Sequence, residues 1–239
     1  MAKERWASLI SGGGSTMFEM ASAIQSGEIE MEAACVIAST PEAGGLIKAQ
    51  TLGIPVEVVN PKDYTGADGK VDLYAFGVAN LAVLRKYGAT VVTQNGYLAR
   101  TSDIVIDAFR DSIFNQHPGP KRETHGTKGT QPHAIMLYIA QATGRNYGTE
   151  VITHRVNSKW DNGMTVGVVP VPIEDINEDP KVLQARALPV EHKLQIVLLQ
   201  QIVKGEVREV EIARRYTSVR EEEILRSARA YARKIYPDG

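Results

Sequence analysis

Short apolar runs alternate with helical repeats along the first 120 residues. Residues 6–11, WASLIS, make the first apolar run; GGGST follows as a turn, and MFEMASAIQSG carries apolar positions at helical spacing and stops at Gly27. AACVIAS is a second run, EAGGLIKAQTLG a helix ending at Gly53, and IPVEVV a third run. A helix through LYAFGVANLAVLRKYG leads to ATVVTQ, and RTSDIVIDAFRD leads to SIFN. Runs this short and continuously apolar fit strands covered by helices on both faces of a parallel sheet. The alternation predicts a doubly wound, mostly parallel α/β fold.

The second half has another rhythm. Residues 120–131, PKRETHGTKGTQ, are polar, basic and glycine-rich, and are expected to form a mobile loop. PHAIMLYIAQATG reads as a helix with Pro132 at its start, where a missing N–H costs nothing. YGTEVITHRV and MTVGVVPVPI read as two strands joined by NSKWDNG, and a helix is expected from about Asp179 to Val203. Residues 1–204 therefore form the expected main domain, and residues 205–239 a charged helical appendage. In the appendage Ser218 and Glu221 have capping-box spacing. Ile224, Ala228, Tyr231 and Ile235 make an apolar stripe suited to docking or to homo-oligomer formation.

Composition narrows the function. The 239 residues include 27 basic and 28 acidic side chains, a net charge of -1. That balance gives no electrostatic case for nucleic acid or an anionic membrane surface. Cys35 is the only cysteine, which excludes an internal disulfide and a cysteine-rich zinc site; within AACVIAS it is expected to be buried. The histidines show no metal-binding spacing, so no metal is expected. No run is long and apolar enough to span a bilayer, and the first residues lack the core of a secretion signal, so the cytoplasm is the expected location.

Three places carry candidate chemistry. SGGGST, residues 11–16, follows the first strand and opens a helix, where backbone N–H groups and the hydroxyls of Ser15 and Thr16 favour an anion over a bare tight turn. It departs from dinucleotide fingerprints, because Met17 stands at the third glycine position and no acid ends the second strand. Asn115 and His117, in FNQHPGP, lie two apart at the carboxyl end of a strand, so their side chains share a side. An amide there can donate to a carbonyl oxygen that gains charge, and an imidazole can move a proton. A hydrogen-bonded loop histidine is the competing reading. Asp161, in KWDNG, is by default a turn aspartate; a functional role requires it to reach His117.

In this order the segments LISGGGST, VIASTPEAGGLIKAQTLGIP, QNGYLART, IFNQHPG, YGTEV, WDNG and PVEHKLQ resemble the folate-dependent glycinamide ribonucleotide formyltransferases, over roughly residues 7–203. The resemblance implies a Rossmann-like formyltransferase fold. It implies catalytic roles for Asn115, His117 and Asp161, with Asp161 keeping the imidazole protonated and aimed. It puts the substrate phosphate at Gly14, Ser15 and Thr16, the folate pterin at Leu98, Ala99, Arg100 and Thr101, and the substrate amine at Glu191. The implied reaction moves a formyl group from 10-formyltetrahydrofolate to glycinamide ribonucleotide, with folate and a phosphorylated amine as partners. Hydrolysis of the formyl donor, a different small amine acceptor, and a folate- or nucleotide-binding module without turnover are the alternatives. Thr16 replaces the family's usual asparagine, Ala99 its common arginine, and Tyr147-Gly148-Thr149 its H-G-T. The segment after the N-x-H-P motif is rewritten as GPKRETHGTKGTQPHA.

Overall fold

The computed structural model describes residues 3–159, 161–212 and 214–239. They divide into two compact units. The first comprises the described residues of Met1–Gln116, Arg155–Lys159 and Gln195–Val207; the second, those of His117–His154, Trp160–Leu194 and Arg208–Gly239.

In the first unit the alternating pattern becomes a parallel sheet. Strands β1 (Arg5–Ile10), β2 (Glu32–Ala38), β3 (Val56–Val58), β4 (Val91–Gln94) and β5 (Ile113–His117) run parallel in the order β3-β2-β1-β4-β5. Helices α1 (Ser15–Gln25), α2 (Gly45–Thr51), α3 (Leu73–Lys86) and α4 (Asp103–Ala108) connect them. Leu9, Cys35, Ile37, Phe76, Leu84, Val92 and Ile113 share one core cluster, and Trp6, Ile10 and Met17 are also fully buried. Asp72 caps α3 by accepting from the N–H groups of Tyr74 and Ala75, both at 3.0 Å. Cys35 is buried as expected, and burial pushes its thiol up to about 12.

The second unit is built differently. It contains α5 (Lys121–Thr124), α6 (Gln131–Thr143) and the antiparallel pair β6 (Thr149–Arg155) and β7 (Thr165–Val171). It also contains the first part of α7 (Pro180–Lys204), and α8 (Glu222–Ile235). Five parallel strands and one antiparallel pair make the fold mostly parallel α/β, as expected. No helix of the described residues is long and apolar enough to cross a membrane.

Two sequence expectations need correction. Residues 120–131 are not a free loop: they contain α5, and Glu123, Thr124 and Thr127 are buried. The cause lies about a hundred residues away. Arg122 donates to the carbonyl and hydroxyl oxygens of Thr217 and to Glu222, and Thr217 donates to Glu123. The apolar stripe of α8 is borne out at Ala228 and Ile224 and displaced at its other two positions. Leu225, Ala228 and Ala232 enter the cluster that holds Ile135, Leu137, Val151 and Leu183, while Tyr231 and Ile235 stay exposed. Small Ala side chains let α8 approach α6 closely, and the larger residues lie outside that seam, where Tyr231 meets the Tyr138 ring at 5.4 Å. The capping box is present: Ser218 N–H donates to Glu221 Oε2 at 2.7 Å. The C-terminal segment thus shares the core of the second unit.

Candidate active site

In the second unit the chemistry gathers where β5 ends. Pro118, Gly119 and Pro120 turn the chain after His117, which is 3% exposed. His117 Nε2 lies 2.7 Å from Thr124 Oγ1, and that hydroxyl donates to the Pro120 carbonyl at 2.8 Å. The turn requires glycine at 119, because a Cβ there would sit 2.7 Å from Thr124 Oγ1.

Asp161 reaches this group, as a functional role required. Its Oδ2 lies 3.7 Å from His117 Nδ1, and its Oδ1 lies 3.6 Å from His154 Nε2. Oδ2 also accepts from the Gly126 N–H at 3.0 Å. The Asp161 backbone is left-handed, with φ 48°, a turn conformation that aspartate adopts more readily than most residues. His154 lies where the β6–β7 register slips between Thr153 and His154, and such an irregularity re-aims a side chain.

The electrostatics assign resting charges. Burial lowers His117 to about 4 and outweighs the opposing pull of Asp161; His154, His125 and Lys121 add to the lowering. Burial would raise Asp161, but His154, His117 and the Gly126 N–H together hold its carboxyl well below the usual range. At neutral pH the resting site therefore holds a carboxylate beside a neutral imidazole, which corrects the expectation that Asp161 keeps the ring protonated. His133, on α6, is also buried and lowered to about 4, by burial and by His117. Its Nδ1 has no hydrogen-bond partner among the described residues. Lys121 donates through Nζ to the Gly163 carbonyl, and burial lowers it against the pull of Asp161. Glu191 is buried on α7. Among the described residues no three His, Cys, Asp or Glu side chains are arranged to hold a metal ion.

The first unit carries the other candidates. Gly14 caps α1 in the left-handed region, with φ 62°, and a Cβ there would lie 2.8 Å from the Gly45 Cα. Gly45 N–H donates to the Gly12 carbonyl at 3.1 Å, which ties the two turns together. The side chain of Thr16 is buried and accepts from Gln116 Nε2 at 3.3 Å. Gln116 in turn accepts from Asn95 at 2.8 Å, and Asn95 accepts from Ser8 at 2.8 Å and from Thr93 at 2.6 Å. Trp6 Nε1 donates to Thr93 at 2.8 Å. This buried polar chain links the ends of β1, β4 and β5 to the glycine loop.

After β4, Leu98 N–H donates to Ser11 Oγ at 2.8 Å, Ala99 packs on the core, Arg100 is exposed, and Thr101 accepts from the Gln94 amide. Asn115 is half-buried in β5, in register with Gln94.

The sequence singled out His117 and Asp161, which the structure brings together, but not Thr124, His154 or the Trp6–Thr93–Asn95–Gln116–Thr16 chain. For His154 the signal was weak, since its strand, TEVITHR, mixes polar and apolar residues and nothing local marks this histidine as buried. Thr124 had none, because its partner becomes apparent only once α5 is formed.

Residues 4–199 match the formyl transferase family. The chloroplastic phosphoribosylglycinamide formyltransferase of Arabidopsis thaliana is 28% identical over 86% of this chain and 68% of its own length. The phosphoribosylglycinamide formyltransferase of Haemophilus influenzae is 28% identical over 84% of this chain and 87% of its own. The crystal structure of glycinamide ribonucleotide transformylase 1 from Symbiobacterium toebii superposes with a TM-score of 0.74 at 24% identity, covering 89% of this chain and 92% of that one, a likeness of fold. With the family match spanning both units, this chain belongs to the formyl transferase family.

Proposed function

We propose that the protein transfers a formyl group from 10-formyltetrahydrofolate to the amine of glycinamide ribonucleotide. The observation that carries this reading is the buried approach of Asp161 to His117 at the end of β5, directly after Asn115 and Gln116. A neutral imidazole backed by a carboxylate suits the proton traffic of acyl transfer.

The amine nitrogen attacks the formyl carbon, and the carbonyl π pair moves to oxygen. The Asn115 amide donates to that oxyanion, a contribution of about 3–4 kcal/mol for one such donor. His117 takes the proton that the attacking amine sheds, and the adjacent Asp161 stabilises the imidazolium that results. The intermediate collapses as the oxyanion pair re-forms the carbonyl, the bond from carbon to the folate N10 breaks, and N10 takes the proton that His117 gives up. Gly14, Ser15 and Thr16 supply backbone donors for the substrate phosphate at the start of α1, where the helix dipole also favours an anion. The Thr16 hydroxyl, turned to Gln116, anchors that turn. Leu98 to Thr101 form the pterin wall, and Glu191 receives the amine.

A second acceptor is supported by the rewritten segment, which brings the Lys121 ammonium beside Asp161, where it offsets part of the negative charge. The assay separates these readings. The protein is incubated with 10-formyltetrahydrofolate and glycinamide ribonucleotide, and tetrahydrofolate release is followed. Release that depends on glycinamide ribonucleotide is expected. Release with water alone would mark a hydrolase, and release only with other amines would mark a different acceptor. Tight folate binding without any release would leave a binding module.

A further inference from the structure

The rewritten segment is bonded to the His117 ring, and the C-terminal segment is bonded to the rewritten segment. Thr124 is 0% exposed, and its hydroxyl lies 2.8 Å from the Pro120 carbonyl, which can only accept. With the hydroxyl proton on that bond, the oxygen offers a lone pair to His117 Nε2, and Nε2 carries the ring proton. The other nitrogen, Nδ1, faces the Asp161 carboxylate.

One turn of helix does not hold itself, because nucleation fixes several residues for one hydrogen bond. Two ties from the C-terminal segment hold this one, and a third holds the residues that follow it. Arg229, on α8, donates through Nε to the Glu123 carbonyl at 2.9 Å and through Nη2 to the Arg122 carbonyl, placing a cation on the last carbonyls of α5. Glu123 Oε1 accepts from Thr217 N–H at 3.2 Å and from its hydroxyl at 2.9 Å. Gln131 Nε2 donates to the Tyr236 carbonyl at 2.7 Å, and Gly239 packs so closely on Gly129 that a Cβ there would meet it at 2.4 Å.

Building on the reading of His117 as the proton carrier, we propose that Thr124 is a positioning residue. Its hydroxyl fixes the resident proton on Nε2 and leaves Nδ1, beside Asp161, as the nitrogen that takes the migrating proton. The segment from Tyr216 to Gly239 holds that hydroxyl in place. When Nδ1 is protonated both ring N–H groups meet acceptors, so the shell complements the imidazolium formed during transfer.

The test uses the full chain labelled with nitrogen-15 histidine, the His117 signals being assigned by their loss in His117→Gln. Wild type is expected to show a neutral ring with a slowly exchanging proton on Nε2. Thr124→Val keeps the shape and removes the acceptor. It is expected to admit the other tautomer and to lower kcat roughly 10- to 100-fold, the scale of one hydrogen bond to a charged group. KM for both substrates should stay within about twofold, since the lost contact acts on the transition state. The acid limb of the kcat profile should move to lower pH, because the cation loses an acceptor while Asp161, His154, His125, Lys121 and His133 still surround it. Thr124→Ser should restore tautomer and rate. Arg229→Met, which touches neither His117 nor Thr124, should reproduce the tautomer change in part. An unchanged tautomer in Thr124→Val, or Thr124→Ser as impaired as Thr124→Val, overturns the assignment to the hydroxyl. An unchanged Arg229→Met spectrum overturns the role of the C-terminal segment. The ring spectrum is read without turnover, so it decides this proposal even if no acceptor supports transfer, the outcome that would instead defeat the formyltransferase reading.

Discussion

The two units place functional groups by different physical means. In the first, position comes from the backbone: parallel strands end together, and a left-handed glycine turns the chain into α1. In the second, position comes from side chains that bridge distant parts of the sequence, such as Arg122 to Thr217 and Arg229 to Glu123. Backbone placement leaves a periodic trace in the sequence, whereas side-chain bridging leaves almost none. The largest effects test whether chemistry really concentrates in the second unit. His117→Ala is expected to lower kcat by roughly 10²- to 10⁴-fold, the range for a general acid–base group. Asn115→Ala, in the first unit, is expected to lower it by roughly 10²- to 10³-fold, as for an oxyanion donor. Folate binding should survive both, as read by tetrahydrofolate fluorescence. If Asn115→Ala leaves kcat intact, Asn115 is not the oxyanion donor.

The same contrast explains what could be read from the sequence. The strands of the first unit were legible because burial on both faces demands continuous apolar runs such as AACVIAS, observed as β2 from Glu32 to Ala38. The N-x-H-P and D-N-G strings were weak signals alone, since a loop histidine and a turn aspartate are common, and they pointed to His117 and Asp161 through the ordered resemblance of seven segments. Residues 120–131 were misread because Lys, Arg, Glu and Gly suggest solvent, and nothing local shows that Glu123 will be enclosed by Thr217. In α8 the expected stripe and the observed one both have steps of three and four. Only the packing against α6 selects Leu225, Ala228 and Ala232.

A separate effect, on stability rather than rate, should appear in the pH dependence of unfolding. His117 and His133 both titrate near 4 in the folded protein, against about 6.5 when unfolded. Between those values the unfolded chain binds protons that the native state refuses. The stabilisation is therefore complete above pH 6.5 and is lost as pH falls toward 4. Each histidine should contribute about 3 kcal/mol over that window. The lowered carboxyl of Asp161 acts in the same direction but only below pH 4. Urea unfolding at steps from pH 7 to 4.5 measures the slope, and His133→Gln should remove about half of it. An unaltered slope in that variant would mean that His133 takes up a proton in the native state and lies outside the tight core ascribed to the second unit.

In the first unit the comparable probe is Gly14→Ala. The substitution places a Cβ 2.8 Å from the Gly45 Cα and retains a positive φ, so both α1 and α2 must shift. A loss of about 1–3 kcal/mol is expected from strain of this kind. Hydrogen exchange should show faster opening of α1 and α2 with β6 and β7 unchanged. Equal loosening of both units would show that backbone placement in the first also supports the second.

The smallest effect isolates the C-terminal segment. Ser218 N–H is met by Glu221 Oε2, and Glu221 also pairs with Arg145 at 2.6 Å, so one carboxylate ends the helical start and fastens it to the stretch after α6. Arg145 is half exposed, and solvent screens the ion pair, so the cap should matter more than the charge. Ser218→Ala should cost about 1 kcal/mol, the usual value of an N-cap. Because Leu225, Ala228 and Ala232 share a core with Ile135 and Leu137, the loss should appear in hydrogen exchange of α6 as well as α8. Exchange confined to α8 would mean that the helix frays without disturbing α6, and that the residues added beyond α7 lie on the second unit without helping to hold it.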